Sequence, residues 1–126
     1  METLMRAGLE GASLMRVYTL ASDRVKRHDF ATAIVHAARD AGLMGATVLP
    51  GIMGYGRRSY DCELSVALYH PEHQPYVVEL VDRPDRLQAF LATVLDMDRW
   101  GRLVTIERIQ IRSYHRGAGQ ADRERG

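Results

Sequence analysis

The spacing of apolar residues along the chain predicts four extended segments and two helices. From Leu14 to Ala21, Val17 and Thr19 alternate with Arg16 and Tyr18, and the β-branched and aromatic content suits a strand. Asp29 then supplies an N-cap for a helix whose Phe30, Ile34, Ala37 and Ala41 recur at i, i+4, i+7 and i+11, with Gly42 beyond its last turn. Thr32, His36 and Arg39 fall on the opposite face, so this helix covers a sheet with one side and meets water with the other. Ala46 to Ile52 reads as a second strand. It runs into Gly51-Ile52-Met53-Gly54-Tyr55-Gly56, where closely spaced glycines loosen regular pairing.

The stretch from Arg57 to Gln74 is ambiguous. Leu64, Val66 and Leu68 alternate as in a strand, but Pro71 and Pro75 bracket a polar turn, so the segment reads as a long excursion that returns to the sheet. Pro75 to Val81 is the next strand, and apolar neighbours at Val77-Val78 and Leu80-Val81 predict burial on both faces, as in a central position. Asp82 or Arg83 caps the second helix, Pro84 occupies its first turn, and Leu87, Phe90, Leu91, Val94 and Leu95 form its apolar stripe. Arg99-Trp100-Gly101-Arg102 ends it. The last strand, Leu103 to Arg112, changes parity: Val104 and Ile106 share one face, Ile109 and Ile111 the other. Either a bulge or a switch from this subunit's core to a neighbour's surface accounts for that.

The order is strand, helix, strand, long loop, strand, helix, strand. Two right-handed βαβ crossovers on an antiparallel sheet give an α+β, ferredoxin-like βαββαβ sandwich. Both helices then lie on one sheet face and the other is left bare, so a homo-oligomer is expected. The domain spans 13–114, with a long loop over about 54–74, an N-terminal extension at 1–12 and a disordered tail at 115–126.

At 126 residues, 46% hydrophobic and 26% charged, with net charge +1, the chain has the composition of one soluble domain. Near-neutral charge gives no electrostatic ground for binding nucleic acid. A single cysteine, Cys62, allows no internal disulfide and suits a reducing cytoplasm. The N-terminus has no signal-like apolar region. Lys26 is the one lysine among the 17 basic residues, so 16 are arginine.

Gly42-Leu43-Met44-Gly45-Ala46-Thr47-Val48, continuing into Gly51-Ile52-Met53-Gly54-Tyr55-Gly56, resembles the PII-like family known as domain of unknown function 190. The resemblance extends through Pro75-Tyr76-Val77-Val78-Glu79-Leu80-Val81-Asp82 and Leu103-Val104-Thr105-Ile106-Glu107, covering roughly 14–114. It implies a trimer of ferredoxin-like subunits with sheets turned inward. It also implies adenine nucleotides (AMP, ADP or ATP) held as regulatory ligands in the clefts between subunits. The long loop then acts on a target, a membrane transporter, channel or metabolic enzyme. No cofactor is required and no catalysis is implied. The chain departs from classical PII proteins in its short turn after the second helix and in its loop, so neither Tyr55 nor Tyr60 inherits their modification site.

Particular residues fit that chemistry. Gly51, Gly54 and Gly56 can bring backbone N–H groups to a phosphate, or simply bend a strand into a loop. Arg57 and Arg58 offer ionised forks for phosphate, of which an extended chain aims one at a cleft, with Arg57 preferred. Arg99, Gly101 and Arg102 follow the second helix, where cations complement its dipole or bind phosphate. Arg108 on the last strand reaches a neighbour's ligand or pairs with an acid such as Glu79. Cys62 reads as a passive thiol, and Ser59 has no base to make it a nucleophile. His70 and His73, with Glu72 between them, are spaced for a metal, or are loop residues without a third placed ligand; the metal alternative makes the chain a metal-binding trimer similar to the divalent-cation-tolerance family. A nucleotide-independent trimeric adaptor is the other alternative. The absence of an acid–base pair at catalytic spacing argues against an enzyme.

Overall fold

The computed structural model describes residues 9–55, 65–66, 74–98 and 102–112. Strand β1 (Leu9–Leu20) leads through a short hairpin, β2 (Arg24–Val25) and β3 (His28–Asp29), into helix α1 (Phe30–Asp40). Then follow β4 (Gly45–Pro50), the small pair β5 (Met53–Gly54) and β6 (Ser65–Val66), β7 (Pro75–Asp82), helix α2 (Pro84–Met97) and β8 (Val104–Arg112). The main sheet has the order β4-β7-β1-β8, and each neighbouring pair is antiparallel. That is the ferredoxin-like arrangement, with β7 in the interior position its two-sided apolar pattern anticipates. No helix among the described residues is long and apolar enough to cross a membrane.

The structure differs from the sequence reading in several places, among them the end of β4, at Pro50 rather than Ile52. β1 starts at Leu9, so Leu9–Ala12 belong to the sheet rather than to an extension. Its glycine at position 11 and charge at Glu10 hide that start from an alternation test. The hairpin β2–β3 was also missed, because two residues per strand are too few to show a period. Finally, β8 contains no bulge: its register against β1 runs unbroken from Leu9↔Arg112 to Val17↔Val104. The parity change is instead a real two-sidedness, with Val104 and Ile106 on the helix side and Ile109 and Ile111 on the bare side.

The core lies between the sheet and the helices. Met15, Val17, Val78 and Leu80 from the two central strands meet Phe30, Ile34 and Ala38 of α1 and Leu87, Phe90 and Val94 of α2, all buried. Asp29 caps α1 as expected, its Oδ1 accepting from the Thr32 N–H at 2.7 Å, a contact worth about 1 kcal/mol. Gly42 follows α1 at φ 75°, a left-handed turn that a side chain would strain. Arg86 of α2 donates to the Ala41 and Gly42 carbonyls at 3.0 and 3.2 Å, closing the end of α1.

Asp82 knits these ends together. It is fully buried, accepts from the Met44 N–H at 3.1 Å and from the Arg83 N–H at 2.6 Å, and lies 3.4 Å from the Arg86 guanidinium. Replacing a carboxylate that satisfies several donors leaves them unpaired. Asp82→Ala is therefore expected to lower the unfolding free energy by about 2–3 kcal/mol in urea titration, whereas Asp85→Ala, on the exposed side of α2, should change it by under about 0.5 kcal/mol.

Candidate functional site

A cleft of about 190 Å³ opens where the end of β1, the base of the long loop, the start of β7 and the segment after α2 converge. Gly51, Gly54 and Arg102, all expected at a ligand site, line it together. Much of the rest of the wall is apolar, with Tyr18, Met53, Tyr55, Tyr76 and Leu103 contributing surface. These aromatic and apolar groups suit a flat heterocycle better than a free ion.

The glycines are placed for more than one reason. The Gly51 N–H donates to the Pro75 carbonyl at 2.9 Å, and the Gln74 side-chain amide donates to the Gly51 carbonyl. A Cβ at Gly51 would come within 3.2 Å of the Pro75 ring. Gly51 thus joins the loop base to β7 at the cleft wall, and its own N–H is engaged within the fold. At Gly54, paired with Ser65 in the β5–β6 ribbon, a Cβ would meet only ordinary contacts of 3.8–3.9 Å.

Arg102 is held from within. Its side chain is 5% exposed and lies between Asp23, on the turn after β1, and Asp98, at the end of α2. The guanidinium Nε donates to Asp98 Oδ2 at 3.1 Å, Nη1 donates to Asp23 Oδ2, and the cation sits 4.6 Å from the centroid of the Phe30 ring. Burial lowers its pKa from the ordinary arginine value, against the opposing pull of Asp98. Asp23 also accepts from the Leu20 N–H at 2.9 Å, and its carbonyl accepts from the Phe30 N–H at 2.7 Å. The arginine thus fastens the cleft wall to both helices.

Thr19 was not anticipated as a site residue. It is 4% exposed, lines the cleft, and its Oγ1 has no hydrogen-bond partner. A buried hydroxyl without a partner is costly, and this one lies sealed in the cleft wall. A threonine on the buried parity of a strand beside Val17 was the available signal.

Arg108 is exposed on β8 opposite Ser13, six residues beyond Arg102, or about 20 Å along the strand. Within one subunit it does not reach this cleft. Gly56, Arg57, Arg58, Ser59, Tyr60, Cys62, His70, His73, Arg99, Trp100 and Gly101 lie outside the described residues. Among the described residues no group of three or more His, Cys, Asp or Glu side chains is placed to hold a metal ion.

The family model DUF190, described as "Uncharacterized ACR", matches residues 2–111. The chain belongs to this family. A UPF0166 protein of Aquifex aeolicus is 26% identical over 98 residues, covering 78% of this chain and 90% of that one. Among solved structures, a putative PII-like signaling protein from Thermus thermophilus superposes with a TM-score of 0.54 at 16% identity, over 82% of this chain and 91% of that one. CPII from Thiomonas intermedia, bound to ADP and bicarbonate, gives 0.59 at 13% identity, over 83% and 92%. At these identities the structural likeness establishes a PII-like fold.

Removing the cation from a buried ion pair typically costs about 3–5 kcal/mol. Arg102→Met should lower the unfolding free energy by about that amount in urea titration, and Arg102→Lys should recover only part, because an ammonium cannot fork between two carboxylates.

Proposed function

We propose that this DUF190 chain is the subunit of a PII-like signalling trimer that senses adenine nucleotide. AMP, ADP or ATP occupies the clefts between subunits and biases the loop over about 54–74, which acts on a membrane transporter or metabolic enzyme. The observation that carries the reading is the aromatic-walled cleft at the base of that loop, where Gly51, Gly54 and Arg102 converge. The likeness to CPII, a protein solved with ADP, supports the same ligand class.

Gly51, Gly54, Gly56, Arg57, Arg99, Gly101 and Arg102 form one side of the site in this reading, and Arg108 comes from a neighbour. The packing of Arg102 against Asp23 and Asp98 gives it a wall-fixing part, and the phosphate charge falls chiefly to Arg57 and Arg99. The bare sheet face supports assembly. Leu14, Tyr18, Val77, Val81, Ile109 and Ile111 are only partly covered there, around a charged row in which Arg16 bridges Glu79 at 2.9 Å and Glu107 at 2.6 Å. Hydrogen bonds donated to Glu107 and then to Glu79 raise the Arg16 pKa above its ordinary value. Signalling requires the nucleotide to bind one loop state more tightly than the other, since equal affinity shifts nothing.

Calorimetric titration of the full chain with AMP, ADP, ATP and cyclic AMP tests this, with sedimentation confirming the trimer. At least one nucleotide should bind, and Arg57→Ala should weaken it about tenfold. Thr19→Val should leave stability unchanged or higher in urea titration, because it removes an unpaired buried hydroxyl. An intact trimer that binds none of the four would reject the proposal.

A further inference from the structure

The β2–β3 hairpin lies beside the cleft but takes no part in it beyond Asp23. Arg24 pairs with Asp29 and Val25 with His28, leaving Lys26 and Arg27 as a two-residue turn. Val25 packs against the core, while Arg24, Lys26, Arg27 and His28 are all exposed. No carboxylate forms an ion pair with Arg24, Lys26 or Arg27 among the described residues. The Asp29 carboxylate, opposite Arg24, is turned to the Thr32 N–H. The His28 ring stands 5.3 Å from that of His36 on α1, and Arg39 follows three residues later, both on the helix's exposed side. In a chain of net charge +1, Arg24, Lys26, Arg27 and Arg39 are a marked local concentration of cations.

The hairpin is also strained and rigid. Lys26 has φ 55°, alone among the described non-glycine residues in the left-handed region. Tight turns of this kind select Gly, Asn or Asp, and a retained outlier points to a use for the side chain it carries. The Arg24 guanidinium donates to the Arg27 carbonyl across the turn, and the Asp23 and Asp29 contacts fix both ends.

We propose that this basic hairpin, with His36 and Arg39 beside it, docks an acidic peptide segment of a partner protein. Clustered, unpaired cations on a stiff scaffold recognise carboxylates at little ordering cost. The hairpin's one apolar residue, Val25, is packed inward, so nothing at its tip can enter a bilayer. Two residues per strand give a footprint about 7 Å long, too short to track a nucleic-acid backbone through many phosphates. The surface is separate from the nucleotide reading and stands without it.

Fluorescence anisotropy with a labelled ten-residue polyglutamate peptide tests the idea. The combined Arg24→Glu, Lys26→Glu and Arg27→Glu variant should lose at least about tenfold in affinity. Arg83→Glu, an exposed arginine at the start of α2, should change it by under about twofold. Lys26→Asn should weaken binding with a Tm at or above that of the parent, because Asn tolerates the left-handed turn. Equal losses in the Arg83 variant, a lower Tm for Lys26→Asn, or tighter binding of phosphatidylserine vesicles or single-stranded oligonucleotide than of the peptide would each overturn the proposal.

Discussion

The buried Arg102 guanidinium is the contact on which the site's geometry depends. It lies over Phe30 at the start of α1, reaches Asp98 at the end of α2 and reaches Asp23 on the turn after β1. Three segments distant in sequence are therefore fixed against one planar cation. Arginine suits this position because its fork serves two carboxylates at once while its flat face stacks on an aromatic ring. Without it, packing of the helices on the sheet would still bury Met15, Val17 and Leu80, but the cleft wall would lose the cation that ties it to both helices. Stability and site shape are coupled at this one residue.

The remaining sheet face follows a different logic. The apolar groups around the Arg16 row form a partly covered stripe on this face, and the row itself carries charges near its centre. Charges so placed weaken nonspecific association more than they weaken a partner with matched groups. Together with the apolar stripe, they favour one mode of contact over many.

Much of the fold was legible because each element repeats its pattern for long enough. Both helices, the interior position of β7 and the Asp29 cap follow from spacing and capping chemistry alone. What escaped was short or two-sided. The β2–β3 hairpin has no period to read, and the early start of β1 is masked by Gly11. The apolar residues on both sides of β8 mimic a register slip that the strand does not contain. At the site, glycines and arginines were visible as residue types, and Gly51, Gly54 and Arg102 do converge. Their individual roles were not visible, since the engagement of Gly51 with Pro75 and of Arg102 with two acids exists only after the chain has folded. Thr19 carried only its parity as a clue.

The Arg86 contact has a consequence for how the molecule opens and closes. The last turn of α1 closes on its own backbone, through the Ala41, Gly42 and Leu43 N–H groups. The Ala41 and Gly42 carbonyls just beyond it are met by a side chain from α2, 45 and 44 positions away in the chain, which ties the closed turn to the second helix. Separation of α2 frees those two carbonyls, so local unfolding of the second helix is coupled to the segment that leaves the first despite the long loop between them.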